Sequence, residues 1–109
     1  FGRPVGTFQA VQMRLADLAT RVQASNFLTH ELLWNFEHGT EEPSQIGVVK
    51  AITADTVSRV TQDCHLLHGG IGFITEYDLY FHTIRGKEAA LRYGSVREAL
   101  GVVADTLLN

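Results

Sequence analysis

The stretch CHLLHGGIGF, Cys64 to Phe73, sets two histidines three positions apart, a cysteine beside the first, and three glycines within four positions. Three kinds of chemistry suit such residues: metal ligation, nucleophilic catalysis, and backbone contact with an anion. Residues three apart share a helix face, so His65 and His68 could ligate zinc together. A tetrahedral site needs one or two further ligands, and His30, His38 and His82 supply no second close-spaced pair. Cys64 falls on an apolar stripe, where cysteine acts as a small hydrophobe, so no metal site is expected. Cys64 with either histidine is an equally incomplete Cys–His couple, lacking an evident electropositive pocket or orienting acid. Gly69, Gly70 and Gly72 remain. They follow one helical pattern and precede another, so backbone N–H groups near Thr75 could approach an anion. A dinucleotide-binding fingerprint needs a strand before it, and none is predicted. On local evidence the glycines read as a connector that permits positive φ.

The elements that must position this segment are helical. After the lead-in FGRPVG, a pattern beginning near Thr7 carries Phe8, Val11, Leu15, Leu18, Val22, Leu32 and Phe36 at three-four spacing, with polar Ser25 and Thr29 interrupting the stripe. It runs out at HGTEEP, where Gly39 suits a helix C-terminus and Glu41, Glu42 and Pro43 suit the next first turn. A second helix is predicted over Pro43 to Leu67, with Ile46, Val49, Thr53, Val57, Val60, Cys64 and Leu67 as its stripe. Its small residues Gly47, Ala51, Ala54 and Ser58 would let a neighbour approach closely. A third pattern starts near Thr75 and stops at Gly94, with Gly86 weakening its middle. SVRE then reads as a capping box, Ser95 accepting from the Glu98 N–H, before a last helix from about Val96 to Leu108. No useful stretch alternates with period two. The expected fold class is all-α, an antiparallel up-down helical bundle. Its apolar stripes are broad enough that a further helix or a partner subunit is expected to cover them.

Composition narrows the function classes. The chain has 109 residues, enough for one domain. A chain of that size buries only about 65% of its unfolded surface, so a cofactor or partner would help it. Nine Lys plus Arg against twelve Asp plus Glu leave a net charge of −3 without a basic run, which argues against nucleic acid as a partner. A single cysteine rules out an internal disulfide and fits a reducing compartment, here taken as cytoplasmic. No apolar run has the length of a membrane span. The start at Phe1, inside an apparent motif, suggests a segment of a longer protein.

Two stretches together resemble one family. FGRPVGTFQAVQMRLADLATRV is similar to the segment opening the second long helix of the C-terminal domain in acyl-CoA dehydrogenases. VKAITADTVSRVTQDCHLLHGGIGFITEYDL resembles, without gaps, the next helix of that family and its His-Gly-Gly-x-Gly-Phe connector. The resemblance implies a flavoenzyme that removes an α-proton and a β-hydride from an acyl-CoA thioester. FAD accepts the hydride, and an electron-transferring flavoprotein reoxidises it. It further implies a helical domain reaching across a homo- or hetero-oligomer interface to a flavin held mainly by a neighbour, with the bundle's first helix missing from this segment. Carried over residue by residue, Arg3 would bind the FAD diphosphate, and Phe8 and Gln9 would contact the adenosine end. His68, Gly69, Gly70 and Gly72 would form a connector facing the cofactor.

This chain departs from the family at two positions. Leu66 stands where a flavin-bonding glutamine is common. Tyr93 stands where the catalytic glutamate is expected, beside a matching Gly94, and a phenol with a reference pKa of about 10 is a poor base at neutral pH. No catalytic residue is therefore assigned here, and Glu98 is read as a cap. The continuation through GKEAALRYG looks closer to a bacterial subgroup that pairs unlike subunits and takes bulky substrates. Three other readings stay open: a degenerate subunit completing a partner's site, an acyl-CoA oxidase or flavin monooxygenase on the same bundle, and a free-standing helical interaction module.

Overall fold

A computed structural model of the chain describes residues 2–109. Among those residues the fold is all-α: α1 spans Gln9–His38, α2 Pro43–His68, α3 Leu79–Leu91 and α4 Val96–Leu108. Short 3-10 turns at Val5–Thr7 and Gly69–Phe73 precede α1 and follow α2.

Local chemistry sets most helix ends where the sequence puts them. Gly39 closes α1 in the left-handed region (φ 65°, ψ 32°), its N–H returning to Asn35 and Phe36 carbonyls. Glu42 and Gln45 form a reciprocal capping box around Pro43 at the start of α2. Ser95 and Glu98 do the same for α4. The start of α3 differs from expectation. Residues 75–78 form turns, and α3 begins at Leu79 rather than near Thr75. Ile74 is extended (φ −88°, ψ 144°) and the Thr75 hydroxyl bonds the Glu76 carboxylate, so the chain leaves the glycine bend without helical geometry.

Helix α2 is the spine. The other three helices pack on it and not, to any comparable extent, on one another. Its contact face is the small-residue one: Gly47, Ala51 and Ala54 are buried, as is Thr56. A methyl group on Gly47 would lie 2.6 Å from the Ala99 carbonyl oxygen and 2.9 Å from Val103 Cγ2, so α4 approaches almost backbone to backbone. On the α3 side, a methyl on Gly86 would lie 2.5 Å from Val57 Cγ1. The glycine that weakens α3 locally is thus the one that admits α2.

Polar links set the register. Arg14 meets Asp63 at 3.9 Å, the Ser25 hydroxyl donates to Thr56 Oγ1 at 3.0 Å, and Asn35 Nδ2 donates to the Gln45 side chain at 3.0 Å. Descending numbers on α2 meet ascending ones on α1, so the two are antiparallel. Ser25, which interrupts the apolar stripe of α1, is buried, and its hydroxyl makes the link to Thr56. At the far end of α3, the Lys50 ammonium donates to the carbonyls of Ala90 and Arg92 at 2.7 Å each and of Ala89 at 3.4 Å. A cation there also offsets the negative end of the α3 dipole.

The predicted apolar stripes are only partly buried. Of the α1 set Leu18 is buried and Phe8, Val11 and Leu32 are half-buried, and of the α2 set all but Ile46 are half-buried. Larger side chains such as Leu15, Phe36 and Ile46 remain exposed because α1 is covered by α2 on one side alone and the other helices do not close over α2 on all sides. The molecule is accordingly long, 57 × 26 × 26 Å, with a radius of gyration of 16.9 Å against about 13 Å for a compact domain of 100 residues.

Replacing Gly47 by alanine tests the α2–α4 approach. Helix propensity favours alanine by up to about 1 kcal/mol, whereas forcing a methyl against a carbonyl that cannot rotate away costs about 1–3 kcal/mol. The expected outcome is a net loss of about 1–2 kcal/mol in urea unfolding, since the clash is with backbone.

Candidate functional site

The first corner of interest is built at the start of α1. The Val5–Thr7 turn is closed by the Thr7 hydroxyl on the Pro4 carbonyl (2.7 Å) and by Gln12 Nε2 on the Gly6 carbonyl (2.9 Å). Phe8, extended at the N-cap, places its ring beneath the Arg3 guanidinium, whose Cζ lies 4.0 Å from the ring centroid. Stacking on a ring face leaves the edge of a guanidinium, with its N–H donors, directed elsewhere. Gln9 is the first residue of α1 and is exposed.

The second corner is the end of α2. Gly69 adopts φ 64°, ψ −143°, a conformation open to glycine and strained for other residues. Side chains at Gly69 or Gly70 would meet nothing within 4 Å, so their backbone is accessible. Gly72 is different. It is buried, and a methyl there would lie 2.9 Å from the His65 carbonyl oxygen. Its lack of a side chain therefore serves the bend's own packing against α2.

Both histidines of the motif are engaged with the protein. His68 Nδ1 lies 2.7 Å from the Cys64 carbonyl, and its ring sits 5.3 Å from that of Tyr77. His65 reaches the Gly72 carbonyl with Nδ1 and Thr83 Oγ1 with Nε2. The Cys64 thiol is pushed up by burial and then by the Asp63 carboxylate, which keeps it protonated rather than nucleophilic. Among the described residues no group of three or more His, Cys, Asp or Glu side chains is placed to hold a metal ion.

The antiparallel register brings these corners to one end of the molecule. Arg14 and Asp63 pair at 3.9 Å, Gln9 lies five residues before Arg14, and Gly69 lies six after Asp63. Each corner is therefore roughly 8–9 Å beyond that pair along its helix. Arg3, Phe8, Gln9, His68, Gly69 and Gly70 share that end, with Gly72 tucked beneath it.

Tyr93 lies elsewhere. Its turn is held by Lys50, which is 19 positions before Gly69 on α2, or roughly 28 Å away along the helix. Tyr93 is 97% exposed and has a φ of 60°, the one positive value among the described non-glycine residues. Gly94 follows at φ 104°. Glu98, the nearest carboxylate in sequence, accepts from the Ser95 N–H at 2.6 Å and from the Ser95 hydroxyl at 2.9 Å. Those two bonds, the backbone one foremost, hold it below the usual carboxylate range, as befits a cap. Leu66 is exposed and lines an open cleft of about 550 Å³ between α2 and α3 with His65, Phe73, Thr83 and Lys87.

Residues 1–104 match the family described as acyl-CoA dehydrogenase, C-terminal domain. The chain belongs to the acyl-CoA dehydrogenase family. It is 30% identical over 100 residues to the acyl-CoA dehydrogenase IpdE2 of Mycolicibacterium smegmatis, covering 92% of this chain and 30% of that protein. The butyryl-CoA dehydrogenase structure from Megasphaera elsdenii superposes with a TM-score of 0.94 at 26% identity, over 100% of this chain and 28% of the other. A chain in a structure of the electron transferring flavoprotein of Acidaminococcus fermentans superposes with a TM-score of 0.93 at 26% identity, over 100% and 29%. The acyl-CoA dehydrogenase domain seen here thus spans about 30% of the length of the relatives it matches. No described helix is long and apolar enough to cross a membrane.

Sequence reasoning missed two functions of polar side chains in this domain. Lys50 and the His65–Thr83 pair act across 39–42 and 18 positions, and no local spacing signals either.

The Glu98 cap predicts a pH dependence. A carboxyl held lower in the folded state stabilises the fold above its unfolded titration range, and that stabilisation disappears as pH falls through the folded value. Relative to Glu98→Gln, the wild type should gain in melting temperature above the ordinary carboxylate range and lose that gain in more acidic buffer. Parallel thermal scans of both proteins across the acid range check it.

Proposed function

We propose that this chain is the C-terminal helical domain of an FAD-dependent acyl-CoA dehydrogenase. In this reading the reaction is α,β-dehydrogenation of an acyl-CoA thioester in the cytoplasm, with electrons passing on to an electron-transferring flavoprotein. The domain contributes the oligomer interface and part of the wall around a flavin held mainly by a neighbouring protomer. The observation that carries the reading is the shared end of the molecule at which the Arg3 corner and the Gly69–Gly70 bend lie, given the Arg14–Asp63 register.

The residues present suit such a cofactor. Arg3 is an exposed guanidinium stacked on Phe8, suited to bidentate contact with a diphosphate oxygen pair. Backbone at Gly69 and Gly70 is open to close approach. FAD, when bound, supplies the hydride acceptor. The part of this chain is to bind and orient it and, through the apolar faces left uncovered on α1 and α2, to exclude water once the assembly closes.

No residue of this domain is assigned as the base. Tyr93 offers a phenol on the strained corner, and the Glu98 carboxylate is occupied by its cap. The base then comes from elsewhere in the protein or from a partner subunit. That absence favours a second reading: one subunit of a heteromeric enzyme, acting on bulky substrates and completing its partner's site. An enzyme using oxygen in place of a flavoprotein acceptor is a third reading on the same fold.

Replacing Arg3 by alanine in the intact protein should lower the flavin content of the purified enzyme several-fold. Full retention counts against diphosphate contact at Arg3. Assaying turnover with a flavoprotein acceptor against oxygen separates dehydrogenase from oxidase. Purification with and without the co-expressed partner separates the heteromeric reading, which expects a stable mixed oligomer and flavin only in the pair.

A further inference from the structure

His65 is joined to the glycine bend and to α3 at once, and nothing in the functional reading uses it. Its Nδ1 faces the carbonyl of Gly72, a group that only accepts, so Nδ1 carries a proton. Its Nε2 lies 2.6 Å from Thr83 Oγ1, a hydroxyl on α3 that also sits 3.0 Å from the Leu79 carbonyl. The Phe73 ring stacks on the imidazole with centroids 5.4 Å apart and planes inclined by 29°. Gly72 is pressed so closely onto the His65 backbone that a methyl there would lie 2.9 Å from the His65 carbonyl oxygen. Both edges and a neighbouring ring thus fix the imidazole, and the imidazole fixes the inner, carbonyl-bearing side of the bend. The outer side is Gly69–Gly70, where the backbone is accessible and glycine alone would otherwise leave it free to move.

We propose that His65 is a positioning residue for the flavin-facing bend. Strapping Gly72 to α2 and α3, it holds the exposed Gly69–Gly70 backbone in one conformation for the cofactor. This rests on the reading that the bend faces FAD. A preorganised contact binds more tightly because the ordering of the segment has already occurred in the free protein. Thr83 shares the role through Nε2, and its position 18 residues from His65 ties the bend's geometry to α3 as well as to α2.

The experiment compares wild type with His65→Leu, His65→Asn and Thr83→Val in the intact protein. Two readouts are taken well below each variant's melting temperature: FAD affinity by flavin fluorescence, and hydrogen–deuterium exchange of the peptide containing residues 69–73. His65→Leu removes both bonds and should weaken FAD binding about tenfold while speeding exchange in the bend. His65→Asn keeps a donor near the Nδ1 position and should recover most of both, whereas Thr83→Val should show a smaller change of the same sign. A wild-type protein that binds no FAD, either alone or with its co-expressed partner, overturns the functional reading on which the role depends. A wild-type protein that binds FAD, with His65→Leu binding it equally well, overturns the role of His65 alone. A lower melting temperature in His65→Leu with unchanged affinity and unchanged bend exchange marks a purely structural histidine and likewise overturns the proposal.

Discussion

The antiparallel register of α1 on α2 is the constraint from which the rest follows. Three polar links along that pair, Arg14–Asp63, Ser25–Thr56 and Asn35–Gln45, place the first residue of α1 beside the last turn of α2. A slip of one turn would displace the corners by about 5 Å and bury Ser25 without its hydroxyl partner on α2. The middle link is the one most removed from water, so it discriminates most strongly against other registers. The outer two lie nearer to solvent and contribute alignment more than energy.

On the other faces of α2, close approach replaces bulk. Gly47 and Gly86 bring α4 and α3 to distances at which even a methyl group clashes, and Ala51, Ala54 and Ala99 fill the seams. Such packing gains dispersion contacts, backbone to backbone at Gly47 and Val57 side chain to backbone at Gly86, but removes little apolar area from water. Meanwhile Phe27, Trp34 and Phe81 stay exposed at 64%, 61% and 60%. Apolar area of that extent is ordinarily covered in an assembly, which accords with a domain that spans about 30% of its relatives' length.

Two cationic or polar side chains of α2 act at opposite ends of α3. Lys50 gathers three carbonyls at its C-terminal end and so shapes the turn in which Tyr93 is held at positive φ. His65 bonds Thr83 one turn into α3 and the Gly72 carbonyl of the bend before it. Through these two residues α2 sets the geometry of both connectors that flank α3, while the helix itself is short and carries a glycine in its interior.

What the sequence determined by itself was local. Gly39, Pro43 at the start of α2, and the Ser95–Glu98 box act within four residues, so these helix ends were legible before any packing was known, whereas Glu42 turned out to be the α2 N-cap, boxed with Gln45, rather than a first-turn residue. The all-α class followed from three-four spacing, and the family from two motifs whose order is a property of the chain. The start of α3 was misread because residues 75–78 carry helix-compatible side chains but leave the bend in extended and turn geometry. Tertiary structure decided which faces are buried, why Gly72 is a glycine, and where Lys50 and His65 reach. Those outcomes depend on groups from seven positions apart, as for His65 and Gly72, to 52 apart, as for Gly47 and Ala99, meeting on α2. Periodicity fixes which residues share a helix face, but only contact between helices selects the face that turns inward.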